Sequence, residues 1–322
     1  MSRATILFVA LVLAGCTASD STEPALPLPQ QYGLQESFRY RSAISEAVSL
    51  ANRVLGPGAP VRLYPSWKGG EAGVQPVYEK GGGFSVTLRV PVYAVEGKNL
   101  APEYFVFVPP KGHGVFVNVD RLPAFFRLFS PTTRIGGLPV DEPRVLAFAL
   151  MHEAGHLFHE DAGSFDGTHP LELQDMLAVE LTLEDVKAGR TAHLNPELRA
   201  DLFALEHIKE ALSDGSNMDR WMEAKAIQGT FSTTTFNITG LRVVEGFGEQ
   251  GLVRRARFRD ASYSHPNLEL RMHVLNYLSN PDALAEELLS TFLKERSAPL
   301  DGTPLFIAPG ASPGLIHRLE MP

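Results

Sequence analysis

The segment His152-Glu153-Ala154-Gly155-His156 constrains this chain more than any other. Four residues advance a helix by just over one turn, so histidines at that spacing project from one face, one above the other. Both imidazoles can then reach a single metal ion. Glu153 stands about 100° round from His152, beside the ion and not on it, where a carboxylate suits a general base acting on metal-activated water. Such a match arises by chance in a chain of this composition in roughly a few per cent of cases. Its surroundings lower that further. Asp141-Glu142-Pro143 joins a capping residue, a first-turn acid and an early proline, which together signal a helix start. The run from Val145 to His159 has no breaker except Gly155 and is strongly apolar (Val145, Leu146, Phe148, Leu150, Met151, Leu157, Phe158), which predicts a buried helix. Histidines and an acid inside such a helix need partners, because burying them unpaired is costly. A metal ion supplies them.

A catalytic zinc usually takes three protein ligands and keeps a fourth position open. Asn195-Pro196-Glu197 has the look of a second helix start, and Glu197 and Asp201, four apart, share one face. One carboxylate can bind the metal; the other can accept the free N–H of a ligand histidine and fix its tautomer. Taken alone, the same two acids also read as a solvated face at a helix N-terminus. Glu172, Glu180 and Glu184 lie on a further plausible helix, Leu171 to Lys187, with Glu180 the best reserve ligand. His159 lies seven residues beyond His152, about 10 Å along the axis, too far to share one ion easily. It reads as a supporting or surface histidine, and His169, His193 and His207 read as loop or helix-surface residues.

His-Glu-x-x-His followed by Glu197-x-x-Ala200-Asp201-x-Phe203-Ala204 resembles the gluzincin clan of zinc peptidases. The likeness is closest to the group holding the HtpX and CAAX-prenyl proteases and the periplasmic lipoprotein peptidases related to them. The resemblance implies one zinc ion held by His152, His156 and Glu197, with Asp201 supporting a ligand histidine. A third patch, Ser264-His265-Pro266 followed by Arg271, resembles the Ser/Thr-His-Pro-x-x-x-x-Arg segment of many members. It implies that His265 donates a hydrogen bond to the oxyanion of the tetrahedral intermediate and that Arg271 braces Asp201 or the site. With Glu153 as base, the implied activity is hydrolysis of peptide bonds in a protein or peptide substrate. An exposed strand such as Val115 to Val119 would pair with the substrate backbone. The contrasting expectation is a zinc-binding but non-proteolytic lipoprotein acting as a binding or chaperone-like module.

The N-terminus speaks to location. Arg3 followed by the apolar run Ile6 to Ala14, too short to span as a permanent helix, reads as a signal peptide over residues 1–15. It ends Leu13-Ala14-Gly15-Cys16, which resembles the lipobox of bacterial lipoproteins and implies a lipid anchor on Cys16. Thr17 stands where some bacteria use aspartate for inner-membrane retention, so the resemblance leans to the periplasmic face of the outer membrane. Cys16 is the only cysteine, which excludes an intramolecular disulfide and a Cys-ligated zinc. Removing residues 1–15 removes only the charge of Arg3, taking the net charge from −8 to −9. An acidic chain of this kind is a poor nucleic-acid binder.

The rest divides by pattern. Residues 16–35 are polar and proline-rich, expected as an extended tether from the lipid. Residues 36–140 open with helical periodicity over Ser37 to Leu55, stopped at Gly56-Pro57-Gly58, and continue as short β-rich runs. Residues 141–298 are mainly helical, with helices expected over Pro196 to Leu212, Asn217 to Gln228, Leu268 to Leu278 and Pro281 to Leu293. Residues 299–322 form an irregular tail. A small β-sheet region followed by a mainly helical zinc-binding region indicates an α+β fold, which the family resemblance makes zincin-like.

Overall fold

The computed structural model describes residues 28–78, 84–100, 104–109, 112–129, 138–159, 181–190, 196–246 and 268–297. Within them the fold is mixed α/β, mostly helical, with a six-stranded sheet and nine α-helices. The signal peptide, Cys16, residues 163–168, His265 and the tail lie outside the described residues.

One long strand organises the sheet. We number the strands β1 (Gln35–Glu36), β2 (Val61–Pro65), β3 (Gly73–Tyr78), β4 (Phe84–Glu96), β5 (Val106–Phe107) and β6 (Val115–Asn118). β2 runs parallel to β4 (Val61 opposite Leu88, Pro65 opposite Val92), and β3 runs antiparallel to it (Gly73 opposite Arg89, Tyr78 opposite Phe84). Both pair with Leu88, so they occupy opposite edges of β4. β6 runs parallel to β4 with Val115 opposite Val92, a residue that β2 also faces, so β6 shares its edge with β3. β5 is antiparallel on the outside of β6 (Val106 opposite Val117, Phe107 opposite Phe116) and ends the sheet.

Strand alternation divides the two faces. Val90, Val92 and Ala94 of β4 point to one side together with Val61, Leu63, Val115 and Val117, all within 2 % of full burial in the main core. The helices α2 (Arg41–Leu55) and α4 (Glu142–Phe158) pack on that side. On the other side Phe116 is enclosed by rings, with Tyr93, Phe107 and Tyr32 edge-on at 5.5, 5.6 and 5.8 Å. Residues 28–35, expected in the extended tether from their proline content, are therefore part of the body. They form α1 (Leu28–Gln31) and enter β1, which pairs Gln35 with Glu96. The edge-on packing of the partly exposed Tyr32 ring on Phe116 and the burial of Pro29 outweigh the local preference for an open chain.

The remaining helices are α3 (Leu122–Phe129), α5 (Leu183–Lys187), α6 (Pro196–Ser213), α7 (Met218–Gly246), α8 (Leu268–Ser279) and α9 (Ala283–Ser297). Two differ from the periodicity. α5 starts at a capping box in which Thr182 and Asp185 bond each other's backbone, so no helix runs through Thr182; residues 171–180 lie outside the described set. α7 continues past Gln228 through a β-branched, polar run of poor helix propensity. Tertiary contacts carry it: Phe231 is fully buried 4.9 Å from Phe148, and Asn237 bonds the Phe129 and Leu138 carbonyls. α7 also closes α2, whose last carbonyls, Val54 and Leu55, accept from the Arg220 guanidinium at 3.1 and 3.3 Å. No described helix is long and apolar enough to cross a membrane.

Candidate metal centre

The cap and the apolar run build α4 as expected. The Asp141 side chain accepts from the Arg144 N–H, and every residue from Val145 to His156 is buried. His152, Glu153 and His156 are 5, 8 and 5 % exposed. On α6, Glu197 sits in the first turn and Asp201 one turn on, at 2 and 1 % exposure. These acids are not a solvated face, because α6 lies against α4 with its acidic side inward.

Three donor groups converge. His152 Nε2 lies 3.1 Å from His156 Nε2 and 3.3 Å from Glu197 Oε2, while His156 Nε2 lies 3.3 Å from Glu197 Oε1. Among the described residues, His152, His156 and Glu197 form a buried group that can hold a metal ion. Glu184 is exposed on α5, and His159 caps the end of α4 at the surface. His207 packs on Phe203 at 4.8 Å, with burial lowering its pKa. Glu172, Glu180, His169 and His193 lie outside the described residues.

Around the donors runs a second set of bonds. His152 Nδ1–H donates to Asp201 Oδ1 at 2.8 Å, which leaves Nε2 with its lone pair facing the centre. Arg271 of α8 donates from Nε to Asp201 Oδ2 and from Nη2 to Oδ1, both at 2.7 Å, and from Nη1 to Glu197 Oε2 at 3.1 Å. Burial alone would raise the Asp201 pKa, but the Arg271 charge and the His152 contact hold it below the usual carboxylate range. For His152, burial and Arg271 act downward, and the carboxylates of Asp201 and Glu197 outweigh them. Arg271 itself loses solvation but is held above its ordinary value by Asp201 and Glu197.

Glu153 points elsewhere, as its angle round the helix requires. Its Oε2 accepts from the backbone N–H of Val108, 3.1 Å away, in the residue that follows β5. Burial pushes its pKa up, against the pull of both histidines. Three nearly buried carboxylates (Glu153, Glu197, Asp201) face one guanidinium, so the cluster carries two uncompensated negative charges when all three ionise. A divalent cation balances that charge, which supplies an electrostatic reason for one at this spot.

Two features had no readable counterpart in the sequence. One is the Val108 N–H on Glu153. The other is Gly155, where a Cβ would stand 3.0 Å from Ala200 Cα and 3.1 Å from its carbonyl oxygen; a lone glycine in a buried apolar helix was the only signal. Val115 to Val119 is not the exposed strand that was expected. β6 is buried along its length and its outer edge is paired with β5; among the described residues the half-buried strand β5 has no partner on its far side, and Val108, which follows it, touches Glu153. His265 lies outside the described residues.

The chain matches no protein-family model, no curated protein and no solved structure.

Proposed function

We propose that this chain is a zinc-dependent endopeptidase of the gluzincin type, working in the bacterial cell envelope on protein or peptide substrates. The observation that carries the reading is the spacing of the three donors. Tetrahedral zinc with N and O ligands at about 2.0–2.1 Å needs donors about 3.3 Å apart; the two Nε2 atoms lie 3.1 Å apart, and the Glu197 carboxylate spans them, with Oε2 3.3 Å from His152 and Oε1 3.3 Å from His156. Two imidazoles and one carboxylate also make the donor set of a catalytic zinc with one position left for water.

Bound there, zinc supplies a Lewis acid that acidifies water and polarises a carbonyl. The remaining work falls to side chains. Glu153, placed beside the three donors and with its pKa pushed up by burial, takes a proton from the attacking water and returns it to the leaving amine. Asp201 keeps His152 in the tautomer that presents Nε2. Arg271 holds Asp201 and Glu197 in place and offsets part of their charge. His265 is proposed to steady the oxyanion. The half-buried strand β5, unpaired on its outer side among the described residues, offers a ladder to an extended substrate next to Glu153. The lipobox-like end at Cys16 supports a lipid anchor on the periplasmic face of the outer membrane.

The test is paired. Zinc per chain is measured for wild type and Glu153→Gln, followed by zinc-dependent cleavage of casein. One zinc in each, with cleavage lost only in the variant, supports the enzyme. Equal cleavage by both, or no bound zinc, overturns it.

A further inference from the structure

The apolar stripe of β4 runs past the end of the helix layer. Val90, Val92 and Ala94 are covered by helices, and Leu88 on the same face is partly buried against them. Val86, next in the alternation, is 47 % exposed. Across the hairpin, Val74 faces Leu88 and Pro76 faces Val86, so all four share one side. Val74 is 65 % exposed, and Pro76 is exposed as well. The β3–β4 hairpin thus carries an apolar face, turned to the same side of the sheet as α4, that the described residues leave bare.

That face lies on the same side of the sheet as α4 and towards the same edge as the proposed cleft. β3 and β6 lie on the same edge of β4, and β5 extends that edge outward. Continuing the β5 register puts Val108, which touches Glu153, opposite Val115 and hence level with Val92. Leu88 and Val86 are four and six residues further along β4, about 13 and 20 Å at strand rise. A chain pairing antiparallel with β5 sends its N-terminal part towards the hairpin. Pro76 has no N–H to offer, which disfavours addition of a strand at the outer edge of β3. The recognition surface is therefore the face and its side-chain contacts.

We propose that Val74, Pro76, Val86 and Leu88 form an exosite for an apolar stretch of extended polypeptide, about five to seven residues N-terminal to the bond being cut, once the two to three strand spacings between that chain and the hairpin are included. The placement rests on the peptidase reading. The substrate class that follows is an unfolded or extended protein segment with an apolar cluster, not a short peptide.

The experiment separates the two ideas. Binding is read in the Glu153→Gln protein, so that nothing is cleaved, with and without Val74→Thr and Val86→Thr. Both positions are exposed, and threonine keeps the β-branched shape, so the hairpin is preserved. The probes are a fluorescein-labelled extended peptide with a Leu-Val-Leu cluster at its N-terminal end, and the same peptide with Ser-Thr-Ser there. The double substitution should weaken the Leu-Val-Leu peptide by about tenfold and leave the other unchanged. Equal affinity before and after, equal loss for both peptides, or no measurable binding of the Leu-Val-Leu peptide overturns the exosite. So does a face that sediments with anionic vesicles and ignores the peptide. Zinc-dependent cleavage by the wild-type protein is scored separately, so failure there removes the peptidase while the binding contrast still decides the face.

Discussion

Gly155 and Ala200 touch backbone to backbone. A methyl on the glycine would stand 3.0 Å from Ala200 Cα. The contact lies between His152 and His156 on α4 and between Glu197 and Asp201 on α6, so it sets how closely the two helix faces that carry the candidate donors approach.

Gly155→Ala therefore tests the centre through packing alone. Helix propensity favours alanine by about 1 kcal/mol, and on that basis the variant would be more stable. The tight contact predicts instead that α4 and α6 part by a few tenths of an ångström and that zinc binds on the order of tenfold more weakly. Competition with a coloured chelator measures it; unchanged affinity would mean that the helices give way elsewhere.

Asp201→Asn keeps the shape but removes the charge that fixes His152 and anchors Arg271. Zinc affinity should fall by about 10–100-fold with the far-ultraviolet dichroism unchanged. An affinity within twofold of wild type would detach Asp201 from metal binding.

Arg271→Met leaves Asp201 and Glu197 buried without their cation. Breaking a buried pair from one side costs about 3–5 kcal/mol, so the melting temperature in chelator should drop by several degrees. Zinc should restore part of that, because it takes up Glu197 and favours only the folded chain. A variant as stable as wild type in chelator would show that the carboxylates have other partners.

Asp120 gives a pH test away from the candidate metal centre. It accepts from the Gly97 N–H at 3.0 Å and pairs with Arg39, and these bonds hold its pKa below the ordinary carboxylate value despite burial. A folded pKa below the unfolded one, about 3.9, gives stability that is full above that value and lost as pH falls through the folded pKa. Asp120→Asn should thus cost about 1 kcal/mol at neutral pH, and the difference from wild type should shrink below about pH 4. Denaturant melts at both pH values read it; a cost independent of pH would assign the effect to packing.

How much of this was legible in the chain depended on the range of the cause. The start of α4 and the pairing of His152 with His156 are local: a cap, a proline and a spacing of four residues specify them. Glu197 and Asp201 were legible as two acids on one face, and Arg271 as part of a third motif, but their burial was not. The length of α7 and the folding-in of residues 28–35 ran against local propensity, because Phe148, Phe129 and Phe116 lie far off in the chain.

The amino-acid order alone thus determined the helix that carries two imidazoles and an acid, and the direction each takes from it, since helix geometry depends only on neighbours. Which carboxylate meets the imidazoles, which peptide N–H rests on Glu153, and which strand lies open beside it were decided only when α6, α8 and the sheet packed on α4. Those are contacts between residues 45 to 119 positions apart, and their register comes from a shared core, which no local pattern encodes.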